Sequence, residues 1–599
     1  MPVQAPDFVS VDRLESEIQR RLAAERERLN AATGLAAREH FHRPVERPFV
    51  GEERKRVTIL FGGLTWKHEA LIQAAFQGNG YNCVVIPTPN VAAFQLGKEF
   101  GNTGQCNPTY FTVGNLIQYL QGLEKQGMSR QEIIDRHVFF TAGSCGPCRF
   151  GMYEAEYRFA LDNAGFNGFR VLLFQQQDGI KAASGEPGLK FTVNFGMSML
   201  NALLLGDAMN DLVYQIRPFE TRRGETDQIF AETIAQLGAV LRDRKPFELG
   251  EHNNMAAGLL QKNRKVKDTF SVLLKVFDHL YGKELYNGLA AARASMDRIE
   301  VDRTKVKPVV KITGEFWAQI TEGDGNFNMF RFLEREGAQV IVEPIATWVA
   351  YMIHQVRLNA VGRRRADSPY PDAAWYQLQQ RMANELKFRQ KWLALVIGEA
   401  VWGHFYHRLT KRLGGITHPL VPQKELAAMA HPFYNRLARG GEGHLEVGKN
   451  VYYTVHHLCH MVLGLKPFGC MPSSQSDGAQ SAVVNRFKEM IYLPIETSGE
   501  GEVNAHSRVQ MALGEAKMKA KAEFETALAG SGKSLEQIHG YVADHPELKR
   551  PFYPVPHRAG IAGTAAQFVL HVSDRMDRDA AWWRRTHVSL SRAPAAGAH

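Results

Sequence analysis

Ser144-Cys145-Gly146-Pro147-Cys148-Arg149-Phe150-Gly151-Met152-Tyr153 is the stretch whose reading decides the fold. Val138-Phe139-Phe140-Thr141 before it is a short apolar, aromatic run of strand type, and Tyr153 to Ala164 after it carries an apolar stripe at helical spacing. Two cysteines therefore sit where a strand turns into a helix. A helix N-terminus points free N–H groups and partial positive charge at its preceding loop, which favours thiolate over thiol. Such a geometry suits a redox dithiol, a zinc site or an iron–sulfur cluster.

Working outward, Val57 to Phe61 reads as a strand ended by Gly62-Gly63, a helix follows through Phe76, and Cys83 to Pro87 is a second strand. With Val138–Thr141 and Val171–Phe174 this strand–helix alternation predicts a doubly wound parallel sheet over about 51–190. The loop Gly101 to Pro108 contains Cys106 and leads into a helix from Phe111 to Leu123. In open α/β sheets the loops at the carboxyl ends of strands converge on one crevice, so Cys106, Cys145 and Cys148 are expected to face the same place. Residues 195–300 turn helical, and α/β character then returns with strands at Val309–Ile312, Val340–Val342, Val462–Leu465 and Ile491–Pro494. Cys470 follows the third of these, in the equivalent loop. The expected fold is α/β, with two Rossmann-like (flavodoxin-like) parallel-sheet domains carrying helical insertions. Residues 1–50 form a helical N-terminal extension, 51–300 the first domain, 301–520 the second, and 521–599 a helical C-terminal extension with a disordered tail.

At 599 residues the chain needs several packed units, and 44% hydrophobic with 22% charged residues is globular composition. Six cysteines and no signal-like apolar stretch after Met1 point to a reducing cytoplasm and against a disulfide network. No apolar run approaches the roughly 18 residues a membrane span needs. The net charge of +10 comes with no recognisable nucleic-acid motif. It reads as solvated helix faces with a general attraction to phosphorylated small molecules or an acidic protein.

Cys-Gly-Pro-Cys is also the active-site tetrapeptide of thioredoxins, but no Trp precedes Cys145 and the surrounding α/β unit starts far upstream. Zinc fits a count of four thiolates, although structural zinc sites usually come as two close pairs and only one is close here. A cuboidal cluster accepts dispersed cysteines at a crevice mouth. Gly530-Ser531-Gly532-Lys533-Ser534 lacks the glycine and the preceding strand of a phosphate loop and reads as a helix–helix turn. His456, Cys459 and His460 fall on one face if their segment is helical, which would make a metal pair with a thiol. Cys83 reads as a buried small hydrophobe. Glu315 stands at a strand end, either in a site or stabilising its loop.

Gly143 to Tyr153 with Leu161 to Phe166 resembles the non-ATPase part of the large 2-hydroxyacyl-CoA dehydratase activase-related proteins. Cys106-Asn107-Pro108 with Gly114-Asn115, Gly314-Glu315 with Leu333 to Gly337, and Lys466-Pro467-Phe468-Gly469-Cys470-Met471-Pro472 resemble it too. The resemblance spans roughly residues 55–520 and implies a relative of 2-hydroxyglutaryl-CoA dehydratase and benzoyl-CoA reductase subunits. Paired α/β domains then hold a [4Fe-4S] cluster in their cleft, with Cys106, Cys145, Cys148 and Cys470 as ligands. In that wider family an ATP-hydrolysing activase supplies a low-potential electron. This chain has no phosphate loop, so the resemblance implies an activase or other electron donor in trans, an acyl-CoA as the substrate to consider, and a homo- or hetero-oligomeric assembly. Ser473 replaces a residue that is often acidic in relatives. Four cysteines would close a coordination sphere that dehydratases leave open, which sets electron relay against dehydration.

Overall fold

In a computed structural model of the chain, the structure describes residues 11–33, 46–143, 148–175, 188–245, 264–438 and 441–590. Two compact units are distinguished, Met1–Arg47 and Pro48–His599. The first contains the helix Val11–Thr33, within the predicted helical extension, and its Ile18, Leu22 and Leu29 are exposed.

The larger unit is α/β, with two four-stranded sheets whose strands all pair in parallel. Strands β1 (Thr58–Phe61), β2 (Asn82–Val85), β3 (His137–Gly143) and β4 (Arg170–Gln175) lie in the order β2-β1-β3-β4. Strands β5 (Val309–Gly314), β6 (Gln339–Ile341), β7 (Met461–Pro467) and β8 (Tyr492–Thr497) lie in the order β6-β5-β7-β8. The two orders are the same, so the architectural repeat read from the sequence is present. Each order reverses direction between its first and third strands in sequence, and loops at such switch points open a crevice at the strands' carboxyl ends.

Side-chain alternation explains why both faces are covered. Ile59, Phe61, Val138 and Leu172 enter one core, while Leu60, Phe139 and Val171 enter another with Val113, Leu116, Ile117 and Leu161. The first of these cores also takes in Val310, Ile312, Val340, Leu463 and Leu465 from the second sheet. One continuous apolar mass therefore serves both sheets, and fully burying each such side chain stabilises by about 1.5–3 kcal/mol.

The helix Val193–Ile216 packs between the sheets and is buried along nearly its whole length. Its Asp207 accepts the Ile345 and Ala346 N–H groups at 2.7 and 2.8 Å, capping the helix Ile345–Gly362, and meets His68 Nε2 at 3.1 Å. Lys67 donates to Glu322 at 2.6 Å, and the Phe111 ring lies against Trp317. These links set the loops after β1 and β5 beside one another.

Most predicted elements are present, with shifts at their ends. The helix expected from Phe111 begins at Asn107, and Val91–Phe100 forms a helix that the sequence reading omits. Gly530 to Ser534 is the expected helix–helix turn: Glu502–Ser531 ends there and Ser534 caps Leu535–Asp544. The segment His456–His460 is not helical. The helix His444–Val455 stops before it, and His456 to His460 leads into β7 through a turn in which His457 has φ +50°. The tail from 591 and residues 246–263 of the predicted helical stretch 195–300 lie outside the described residues.

Candidate thiol site between the two sheets

Cys106 caps the helix Asn107–Lys125 and Cys470 caps Met471–Arg486, each in extended backbone and each followed by Xaa-Pro. A proline in the first helical turn loses nothing, since N–H groups there have no intrahelical acceptor, and its fixed φ starts the helix. Cys148 caps the 3₁₀ turn Arg149–Met152, which continues into the helix Tyr153–Asn163. All three cysteines therefore stand at the amino ends of helices. Cys145 falls in residues 144–147, outside the described residues.

The loops come from both halves of the unit and touch. Asn107 N–H donates to Phe468 O at 3.0 Å. Gly469, with φ +76°, lies so close that a Cβ there would stand 3.3 Å from Cys106 Cα and from Gln105 O. Glycine meets both requirements, since it tolerates left-handed φ and has no side chain. The Cys148 thiol lies near enough to Cys106 to feel its charge, and Glu315 acts on all three described thiols. Cys106 Sγ is 3.1 Å from Thr109 Oγ1 and 3.2 Å from Tyr153 OH. Ser473, three residues after Cys470, has a buried hydroxyl without a hydrogen-bond partner among the described residues.

Burial governs the chemistry of the group. It pushes the Cys148 thiol up to about 12 and raises Cys106 and Cys470 as well. It also brings the Glu315 carboxyl up to about 7 and Glu442 up to about 8, each acid adding to the pressure on the thiols. The main charges acting on the sulfurs are thus acidic, and burial outweighs the helix N-termini. A positively charged centre bound among the sulfurs would relieve this and turn the thiols into thiolate ligands.

Glu315 takes the loop-stabilising part: its carboxylate accepts the Ala318 N–H at 2.9 Å and caps Phe316–Ile320. Glu442 was missed from sequence. It accepts the Phe316 N–H at 2.8 Å and is buried beside Glu315, and the only local signal for it is the loop composition of Gly440-Gly441-Glu442-Gly443. The histidine group does not assemble: His456 Nε2 meets Glu425 at 2.9 Å, whereas His460 Nδ1 accepts the Val309 N–H at 2.9 Å. Cys83 is buried in β2, as expected for a small hydrophobe.

Among the described residues, no three His, Cys, Asp or Glu side chains stand close enough as they are to hold a metal ion. Also among them, no helix is long and apolar enough to cross a membrane. No family model matches the chain, and no curated protein matches it.

Proposed function

We propose that the chain is an iron–sulfur protein of the 2-hydroxyacyl-CoA dehydratase type, holding a [4Fe-4S] cluster on Cys106, Cys145, Cys148 and Cys470 between two flavodoxin-like halves. The observation that carries this reading is the mating of the Cys106 and Cys470 loops across the two sheets. A single zinc needs every thiolate about 2.3 Å from one point. A cuboidal cluster places each thiolate on a different iron and accepts wider spacing.

When bound, the cluster would supply one-electron chemistry at low potential. Around it, Tyr153 and Thr109 place hydroxyl groups beside Cys106 Sγ, and Glu315 and buried Glu442 would set the local charge. Electrons would come from an ATP-dependent activase or another donor in trans, and pass to an acyl-CoA or on to a partner enzyme. A cytoplasmic setting agrees with the reduced thiols.

Anaerobic purification or reconstitution, followed by iron and acid-labile sulfide analysis and electron paramagnetic resonance, tests this. About four irons and four sulfides per chain are expected, with cluster content lost or its spectrum changed in Cys470→Ser. A colourless protein with stoichiometric zinc and no sulfide would refute the reading, as would a cluster unaltered by Cys470→Ser.

A further inference from the structure

At the opposite end of the second sheet is a cavity of about 500 Å³. Val309 and Gln339, the first residues of β5 and β6, line it, as does Leu458 just before β7. Glu315 and Cys470 follow the carboxyl ends of β5 and β7, so the cavity is separated from the thiols by the length of the strands. Its volume lies within the range of small-molecule sites. Its walls are mainly apolar, including Ile216, Phe219, Val421 and Val555.

The charge in the cavity is unbalanced. Among the described residues lining it there is no aspartate or glutamate. Arg303 lines it with a guanidinium whose hydrogen-bond partners are the backbone carbonyls of Leu548, Arg550 and Pro551, and whose other close neighbour is the Phe568 ring. Burial lowers this guanidinium to about 10, against the opposing pull of Asp297, which makes no ion pair with it. His418 also lines the cavity. Asp211, buried behind it, holds the ring by Nδ1 at 2.7 Å and also accepts the His418 N–H at 2.7 Å. With Nδ1 engaged by Asp211, the imidazole Nε2 edge is left for a ligand. Burial works against the ring's proton, but the Asp211 carboxylate outweighs it and raises the ring's affinity for that proton.

A guanidinium held by backbone carbonyls, a cavity wall with no described acid on it, an imidazole edge and apolar walls match a small acid with an apolar body. We propose that this cavity is a second binding site, independent of the thiols, for a small monocarboxylic acid whose carboxylate pairs with Arg303 and whose chain lies along the apolar wall.

Calorimetric titration of the full chain with octanoate, and with 1-octanol as its uncharged counterpart, tests this. Octanoate is expected to bind at least tenfold more tightly than octanol. Arg303→Gln should weaken octanoate at least tenfold and leave octanol unchanged, and Val555→Trp should remove both by filling the cavity. Cys470→Ala should bind octanoate like the wild type, so failure of the iron–sulfur reading would leave this one standing. Octanol binding as well as octanoate, or octanoate binding unchanged in Val555→Trp, would overturn the proposal. Lack of octanoate binding by the wild type would do so too. If Arg303→Gln does not fold, the octanoate–octanol ratio and Val555→Trp decide the matter.

Discussion

Gly469→Ala tests whether the two thiol loops are held against each other by a close backbone fit. Gly469 has φ +76°, and an L-residue in that region costs about 1–2 kcal/mol. The new methyl would also sit 3.3 Å from Cys106 Cα and Gln105 O, both backbone atoms that yield only if the Cys106 loop moves. Overpacking of this kind adds about 1 kcal/mol at the low end of its range, for a total near 2–3 kcal/mol. The strain is best relieved by opening the Asn107 N–H to Phe468 O bond, which joins the loops at 3.0 Å. Since about 1.4 kcal/mol is tenfold in an equilibrium, amide exchange in the peptide containing Asn107 should speed up roughly 30–100-fold. Gly80→Ala is the control: its φ is +81°, and a Cβ there meets nothing within 4 Å. It should carry the conformational cost without changing Asn107 exchange by more than about threefold. Exchange at Asn107 left unchanged by Gly469→Ala, or accelerated equally by Gly80→Ala, would refute the interlock.

Asp207→Ala removes two hydrogen bonds from a carboxylate to a buried helix N-terminus and the partner of His68. With hydrogen bonds to charged groups worth about 1.5–3 kcal/mol each, urea denaturation should register a loss of about 3–5 kcal/mol; a loss below about 1 kcal/mol would show that the cap is not holding the second half to the first. Glu69, buried and accepting the Gly63 and Leu64 N–H groups, has its carboxyl pushed up to about 7 by burial. The folded state then binds this proton more tightly than the unfolded chain, so its contribution is full below about pH 4.5 and is lost as pH rises toward 7. The change is on the order of 3 kcal/mol. The stability difference between wild type and Glu69→Gln should shift by this amount between pH 5 and 8, the wild type losing ground at high pH; a constant difference would remove Glu69 as a titrating group. Glu53→Ala leaves the buried Arg170 guanidinium without its carboxylate at 2.9 Å. It should cost about 3–5 kcal/mol, and thermal denaturation indistinguishable from the wild type would show that the ion pair is dispensable.

Much of the molecule can be read locally. Strand–helix alternation, the glycines ending the strands and the cysteines placed just past them give the parallel sheets and the positions of Cys106 and Cys470, because periodicity and turn chemistry act within a few residues. The early start of the Asn107 helix is also local, since Asn107-Pro108 favours a first turn and the reading placed the boundary too late. His456–His460 shows where local reading fails: helical spacing puts three metal-binding side chains on one face, but the chain leaves the helix at Val455 to enter β7, and pairing with β5 outweighs the helical pattern.

What only the tertiary structure decided is which distant loops meet. The sequence by itself determined that Cys106, Cys148 and Cys470 stand at strand ends before helices. That the Cys106 loop mates with the Cys470 loop, that Glu442 joins Glu315 behind the thiols, and that Arg303 and the Asp211–His418 pair line one cavity all come from packing the two sheets around the shared core and the helix Val193–Ile216. Contacts of this kind join residues far apart in the chain through burial and close packing, which carry no local sequence period.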